Sequence, residues 1–323
     1  MWWILVFAFA GSAAFEEERT TADAIIRFVD TTGVERLGAY VGGGRARVVT
    51  SEEPTPDKSW VVGDVVVEVG QLLTPVSPPY VLAIGLNYID HIIATNSTAP
   101  LTPAVFFKGS HSVHHPLSPI VIPEISTKPD YEGELGLVFS RDCKDISEAD
   151  ALDCVLGYVV CHDVSARCYQ NEDDADNCPG NGGQYSFSKS FDTHAPIGPR
   201  LVSVKTLGNA TGLTLQTRVN GDLRQNSTTS SLIFGVQQIV SFMTSGTTIP
   251  KHTVVCTGTP DGVGDTMDPP TYLQDGDVVD VYIEHIGVLR NPITRLSTKH
   301  GLLGRTHVDF DLDDLLLFPS ATA

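Results

Sequence analysis

Glu132 and Glu134 stand two residues apart in the run DYEGELGLVF (130–139), and Asp163 ends the apolar run GYVVCHD (157–163). Both runs are apolar at alternate or successive positions and carry β-branched residues, which predicts strands. Residues two apart on a strand share a face, so the two glutamates are expected side by side. Three carboxylates are hard oxygen donors of the kind that suit Mg²⁺, Mn²⁺ or Ca²⁺. They leave about half of a six-ligand shell open to substrate or water, as a catalytic site requires. The ordinary reading of Glu-x-Glu on a strand is a solvated face. The setting of Asp163 argues against it: a carboxylate behind Leu156, Tyr158, Val159 and Val160 needs a partner to offset its desolvation.

Seven segments occur in one order: AIGLNYIDH (83–91), FFKGSHSV (106–113), DYEGELGLVF (130–139), HDVSAR (162–167), SKSFDTHAPIGP (188–199), QTRVNGDLRQ (216–225) and CTGTPDGVG (256–264). In these segments the chain resembles the fumarylacetoacetate hydrolase family, over residues 80 to 295. The resemblance implies a mixed β, α+β fold: a rolled mixed sheet with few helices forming the catalytic domain, commonly in a homodimer. It implies that Glu132, Glu134 and Asp163 hold the metal. His91 would act on a proton or a water, and Lys189 would face the substrate. Arg167, Gln170 and Thr259 would line the substrate.

The chemistry of these side chains agrees. Histidine titrates near neutrality and serves as general base or acid. A lysine beside a metal stabilises an enolate or oxyanion. Arg167 can grip a substrate carboxylate bidentately or pair with a ligating carboxylate. Thr259 would present its hydroxyl or its backbone N–H. Two positions depart from the family pattern. A glutamate is expected three residues after His91 as its partner in water activation, and Ala94 stands there; an aspartate is expected after Arg167, and Cys168 stands there. Asp90 cannot replace the missing partner, because neighbours on a helix do not face each other.

The expected function is a divalent-metal-dependent enzyme acting on a small 2-oxo or 1,3-dicarbonyl acid. C–C bond hydrolysis or decarboxylation comes first. A keto–enol tautomerase and a non-catalytic oxo-acid-binding protein are the alternatives.

The 323-residue chain is 41% hydrophobic with a net charge of -18. That charge argues against nucleic acid and anionic membranes as partners, so an anionic substrate must be drawn in by local cations. Residues 1–22 form an apolar extension. Its start, MWWILVFAFAGSAAF, reads as a short secretory signal with no Lys or Arg in its n-region, or as an apolar first strand. Family resemblance points instead to a cytoplasmic or mitochondrial location. Residues 23–76 read as a small β-rich domain, closed by Pro75, Pro78 and Pro79; 80–295 is the catalytic domain and 296–323 a variable tail.

Gly42–Gly44 reads as a turn. The polar stretch 171–184 reads as a surface loop with room for a lid role. SSLIFGVQQIVSFMTSG (230–246) predicts a core-packing helix bearing Leu232, Ile233, Val236, Ile239, Val240 and Met243. Six cysteines (143, 154, 161, 168, 178, 256) show no CxxC pair, and buried or free thiols are expected in a chain of this length. His111, His114, His115 and His162 with Cys161 and Cys168 fit no zinc spacing. Asn96, Asn209 and Asn226 each begin an Asn-x-Thr sequon.

Overall fold

The computed structural model describes residues 20–51, 53–170, 182–295 and 311–317. The N-terminal apolar run, most of the 171–184 loop, Cys178 and most of the tail lie outside the described residues. Strands β1 (Ala24–Asp30), β2 (Glu35–Gly42), β3 (Arg45–Val49) and β4 (Trp60–Leu73) form an antiparallel array. Then come β5 (Val81–Gly85), helix α1 (Ile89–Ala94), β6 (Ala104–Lys108), β7 (Gly133–Phe139) and β8 (Val155–His162). Helix α2 (Tyr185–Ser188), β9 (Ala195–Ser203), β10 (Thr214–Val219), β11 (Asp222–Thr228) and α3 (Val236–Thr244) follow. The chain continues with β12 (Val254–Cys256), β13 (Val278–Ile283), β14 (Gly287–Arg295) and α4 (Leu312–Leu316).

The strands build two main sheets. In the larger, of 12 strands, the path runs β4-β3-β2-β1-β9-β8-β7-β12-β5-β6. The N-terminal strands thus join the catalytic strands directly, through Ile25 opposite Leu201 and Ala24 opposite Val202. The smaller sheet runs β11-β10-β13-β14 and ends on Ile120–Ile122. The mixed, sheet-dominated fold expected from the sequence is the one observed.

Strand β7 is buried along its whole length because both of its faces are covered. Leu135, Leu137 and Phe139 pack with Leu215, Val279, Val281 and Ile283 of the smaller sheet. Val138, on the opposite face, packs with Val159, Cys161, Val254 and Cys256. Gly133 is what lets the sheets approach: a Cβ there would lie 2.2 Å from Thr217 Oγ1.

Helix α3 is shorter than the periodicity predicts. Gly235 N–H is caught by Gln238 Oε1 at 3.0 Å, which starts the helix at Val236, while residues 229–231 form a separate 3-10 turn. Val236, Ile239, Val240 and Met243 are buried as expected. The cysteine expectation needs correction. The 3-10 turn Ala151–Cys154 folds back onto the loop after β7 and brings Cys154 to Cys143, with Cα atoms 6.3 Å apart and a disulfide between them. That separation is ordinary for a disulfide. Cys161, Cys168 and Cys256 are buried thiols.

Candidate active site

The register of two neighbouring strands assembles the acidic cluster. Glu134 pairs with Cys161 across the β7–β8 ladder, and Asp163 N–H donates to Glu132 C=O at 2.9 Å. Glu132 and Glu134, on one face of β7 and its approach, therefore meet Asp163 where β8 ends. Their carboxylate oxygens lie within 4.8 Å of one another and all three residues are buried. Among the described residues this is the only such grouping of His, Cys, Asp and Glu. The histidines weighed for zinc are held elsewhere: His111 Nε2 on Ser190 C=O and His114 Nε2 on Pro119 C=O.

Cations surround the cluster. Lys189 Nζ donates to Glu132 Oε2 at 2.5 Å and to Asp163 Oδ2 at 2.7 Å. Lys108 Nζ donates to the other Asp163 oxygen at 2.5 Å and is fully buried. Arg167 Nη2 lies 2.7 Å from Glu132 Oε1, its Nε donates to Asp130 Oδ2 at 2.8 Å, and its Nη1 to Gln170 Oε1 at 3.0 Å. Asp130 is anchored in turn by the N–H groups of Gly264 and Asp265. Of the two roles open to Arg167, the structure places its guanidinium on a carboxylate of the acidic cluster, that of Glu132. Its guanidinium fixes Glu132, and its edge borders the site.

Electrostatics separate the two glutamates. Burial raises Glu132, but Lys189 and Arg167 outweigh it and hold this carboxyl well below the usual range. Burial and then the charge of Asp163 push Glu134 well above that range; its main-chain partner is Gly258 N–H, 2.7 Å from Oε2. Lys189 is disfavoured by burial, yet Asp163 and Glu132 raise it above the ordinary lysine value. The donor set fits a hard divalent ion. It consists of three buried oxygens with no soft ligand, and one of them, on Glu134, lacks a cationic side-chain partner.

His91 is buried on α1, and its Nδ1 has no hydrogen-bond partner. Burial depresses its pKa, and the charges of Glu132, Arg167 and Lys189 also act on the ring. The balance favours the uncharged imidazole. Asp90 spends Oδ1 on the backbone N–H of His91, at 2.8 Å, and Ala94 is exposed. No carboxylate on this helix orients the ring. Gln170 Nε2 is likewise buried with no hydrogen-bond partner among the described residues. His91 Nδ1 and Gln170 Nε2 are therefore polar atoms with hydrogen-bonding capacity left over among the described residues.

Thr259 is corrected in part. Its hydroxyl accepts from Gln225 Nε2 at 2.7 Å and donates to Gly133 C=O at 3.1 Å, so the hydroxyl serves the strand beneath the site. Sequence reasoning missed Lys108, Asp130 and Gln225. Lys108 carried a usable signal, since it ends the apolar run AVFFK as Asp163 ends its own. Gln225 carried none: its role is to accept Gly133 N–H at 2.9 Å while holding Thr259, a contact between sheets.

Three buried carboxylates on neighbouring strands, with His91 on α1 close enough to feel the charge of Glu132, form a candidate enzyme site. The family model for the fumarylacetoacetate hydrolase C-terminal domain matches residues 80–294, and the chain belongs to this family of enzymes. It is 40% identical over 223 residues to the mitochondrial oxaloacetate tautomerase of Xenopus laevis, covering 69% of this chain and 68% of that one. It is 38% identical over 215 residues to the 2,4-didehydro-3-deoxy-L-rhamnonate hydrolase of a Sphingomonas species, covering 66% and 73%. Among solved structures, the fumarylacetoacetate hydrolase of Exiguobacterium antarcticum superposes with a TM-score of 0.70 at 32% identity, covering 86% of this chain and all of that one.

Proposed function

We propose that the protein is a Mg²⁺-dependent keto–enol tautomerase of a small 2-oxo acid, with Mn²⁺ as the alternative ion. The observation that carries this reading is the buried His91, whose Nδ1 has no partner among the described residues and whose helix offers no carboxylate to orient it. Activating water for C–C cleavage calls for an oriented, strengthened base. Moving a proton between carbon and oxygen of a bound 2-oxo acid calls only for a base within reach. The sequence puts cleavage first; the engagement of Asp90 Oδ1 by backbone N–H supports proton transfer instead. The tautomerase named in Xenopus laevis supports the same choice.

Glu132, Glu134 and Asp163 would hold the ion, which supplies Lewis acidity toward the substrate's 2-oxo oxygen. His91 accepts the proton leaving the carbon next to the carbonyl and returns one to the enolate oxygen. Lys189, pinned between Glu132 and Asp163, offsets the negative charge that develops on that oxygen. Gln170 Nε2 and the edge of Arg167 orient the substrate carboxylate. We further propose a homodimer formed through edge strand β6. Val105 and Phe107 are exposed there, and Tyr185 and Phe187 are exposed on α2, which packs against β6. Light scattering at micromolar concentration tests this, with a monomer as the refuting result.

The deciding assay gives purified protein Mg²⁺ and oxaloacetate, following enol absorbance and pyruvate together, with acylpyruvates in parallel. Enol loss that EDTA abolishes and that releases no cleavage product is expected. His91→Gln should lower that rate by about 10²- to 10⁴-fold, the usual contribution of a general base. EDTA-sensitive cleavage products would replace this reading with hydrolysis or decarboxylation. If Ala94→Glu creates cleavage, the missing carboxylate is what separates the two activities.

A further inference from the structure

Two features outside the carboxylate cluster point to one chemical history. The first is the Cys143–Cys154 disulfide, which closes the loop between β7 and β8 across a sequence separation of 11. Disulfides form and persist in oxidising compartments. The second is the placement of the three sequons. Asn96, Asn209 and Asn226 are all exposed, and each has threonine two residues on. Burial would have disqualified any of them, and none is buried. Asn96 lies just past the end of α1, with φ at 50°. Asn209 sits in a turn where Thr211 N–H donates to its Oδ1 at 3.3 Å, an Asx turn that presents the side chain outward. Asn226 is on β11, the outermost strand of the smaller sheet. Gln216 holds its Oδ1 at 3.1 Å, and a glycan joins at Nδ2.

We propose that this chain matures in an oxidising, glycosylating compartment, where Cys143 and Cys154 are joined and Asn96, Asn209 and Asn226 carry N-linked glycans. In the first step two thiols give up two protons and two electrons to the disulfide of a thiol oxidoreductase, which is reduced to its dithiol. In the second, each asparagine Nδ2 bonds to the anomeric carbon of a lipid-pyrophosphate-linked oligosaccharide. The sugar–phosphate bond breaks, and the Nδ2 proton leaves with the lipid pyrophosphate. The buried thiols of Cys161, Cys168 and Cys256 are shielded from the same oxidant. The proposal is independent of the reaction assigned to the carboxylate cluster.

The test expresses the full chain in cultured animal cells and alkylates free thiols before any reduction. Peptides are then released after N-glycosidase F treatment in heavy-oxygen water. The expected result is heavy-oxygen aspartate at positions 96, 209 and 226, with Cys143 and Cys154 linked and unalkylated until reduced. Asn96→Gln, Asn209→Gln and Asn226→Gln should each remove one glycan-sized step of gel mobility. An asparagine recovered unmodified overturns the assignment at that position. Three unmodified asparagines, or alkylated Cys143 and Cys154 in the folded protein, overturn the proposal.

Discussion

Lys189 Nζ binds one oxygen of Glu132 and one of Asp163, so it competes with a divalent ion for two of the three carboxylates. Lys189→Met should therefore tighten Mg²⁺ binding while abolishing turnover. Without metal the variant should lose about 3–5 kcal/mol, the usual cost of leaving a buried charge unpaired. Saturating Mg²⁺ should recover part of that loss by binding the folded form. Calorimetry and melting with and without EDTA read both effects; weaker Mg²⁺ binding would show that Lys189 supports the carboxylates and does not rival the ion. Glu134 gives a second prediction. Its pKa is raised by burial and by Asp163, so protons compete with the ion for this carboxylate at higher pH than for an ordinary glutamate. Mg²⁺ affinity should fall as pH drops, by about tenfold per pH unit below that pKa. Titration calorimetry across pH reads the slope, and an affinity independent of pH refutes the assignment.

At the level of elements, period-2 patterning made β7 and β8 legible, and with them the triad, because a strand's side-chain geometry is local. What sequence could not reveal was pairing between distant segments. Lys108 reaches Asp163 only because β6 closes the edge of the sheet beside β5. Cys154 reaches Cys143 only because a 3-10 turn reverses the chain. The tail shows the same gap. Helix α4 buries Leu315 and Leu316 against Ile26, Phe28 and Leu72, and Asp313 accepts from Tyr40 O–H at 2.5 Å and from Gly43 N–H at 3.0 Å. An acidic, leucine-rich tail gave no sign of this docking site. Leu316→Ala should destabilise the protein by about 2–5 kcal/mol, measured by urea unfolding. An effect below about 0.5 kcal/mol, typical of a surface change, would mean that α4 does not dock.

Across the whole molecule, imidazoles held neutral by burial should govern acid stability. Burial, the largest cause in each case, depresses His114 to about 4 and His162 and His194 to about 3, from an ordinary 6.5. Between these values the unfolded chain binds protons that the folded chain refuses. Stability should therefore fall as pH drops from 6.5 toward 4, by up to about 4 kcal/mol per pH unit if all three contribute fully. His194→Gln should flatten that slope by about a third; an unchanged slope would show that His194 is protonated in the fold.

The union of β1 with β9 has a practical side. Residues 80–295 carry the whole carboxylate cluster, but a fragment beginning at residue 80 would leave Leu201, Val202 and Ser203 of β9 without the backbone partners that Asp23, Ala24 and Ile25 supply, a short open edge that invites sticking to other chains. Supplied as a separate peptide, residues 20–76 should cap that edge and raise the fragment's solubility, which would make the two pieces complementary when mixed.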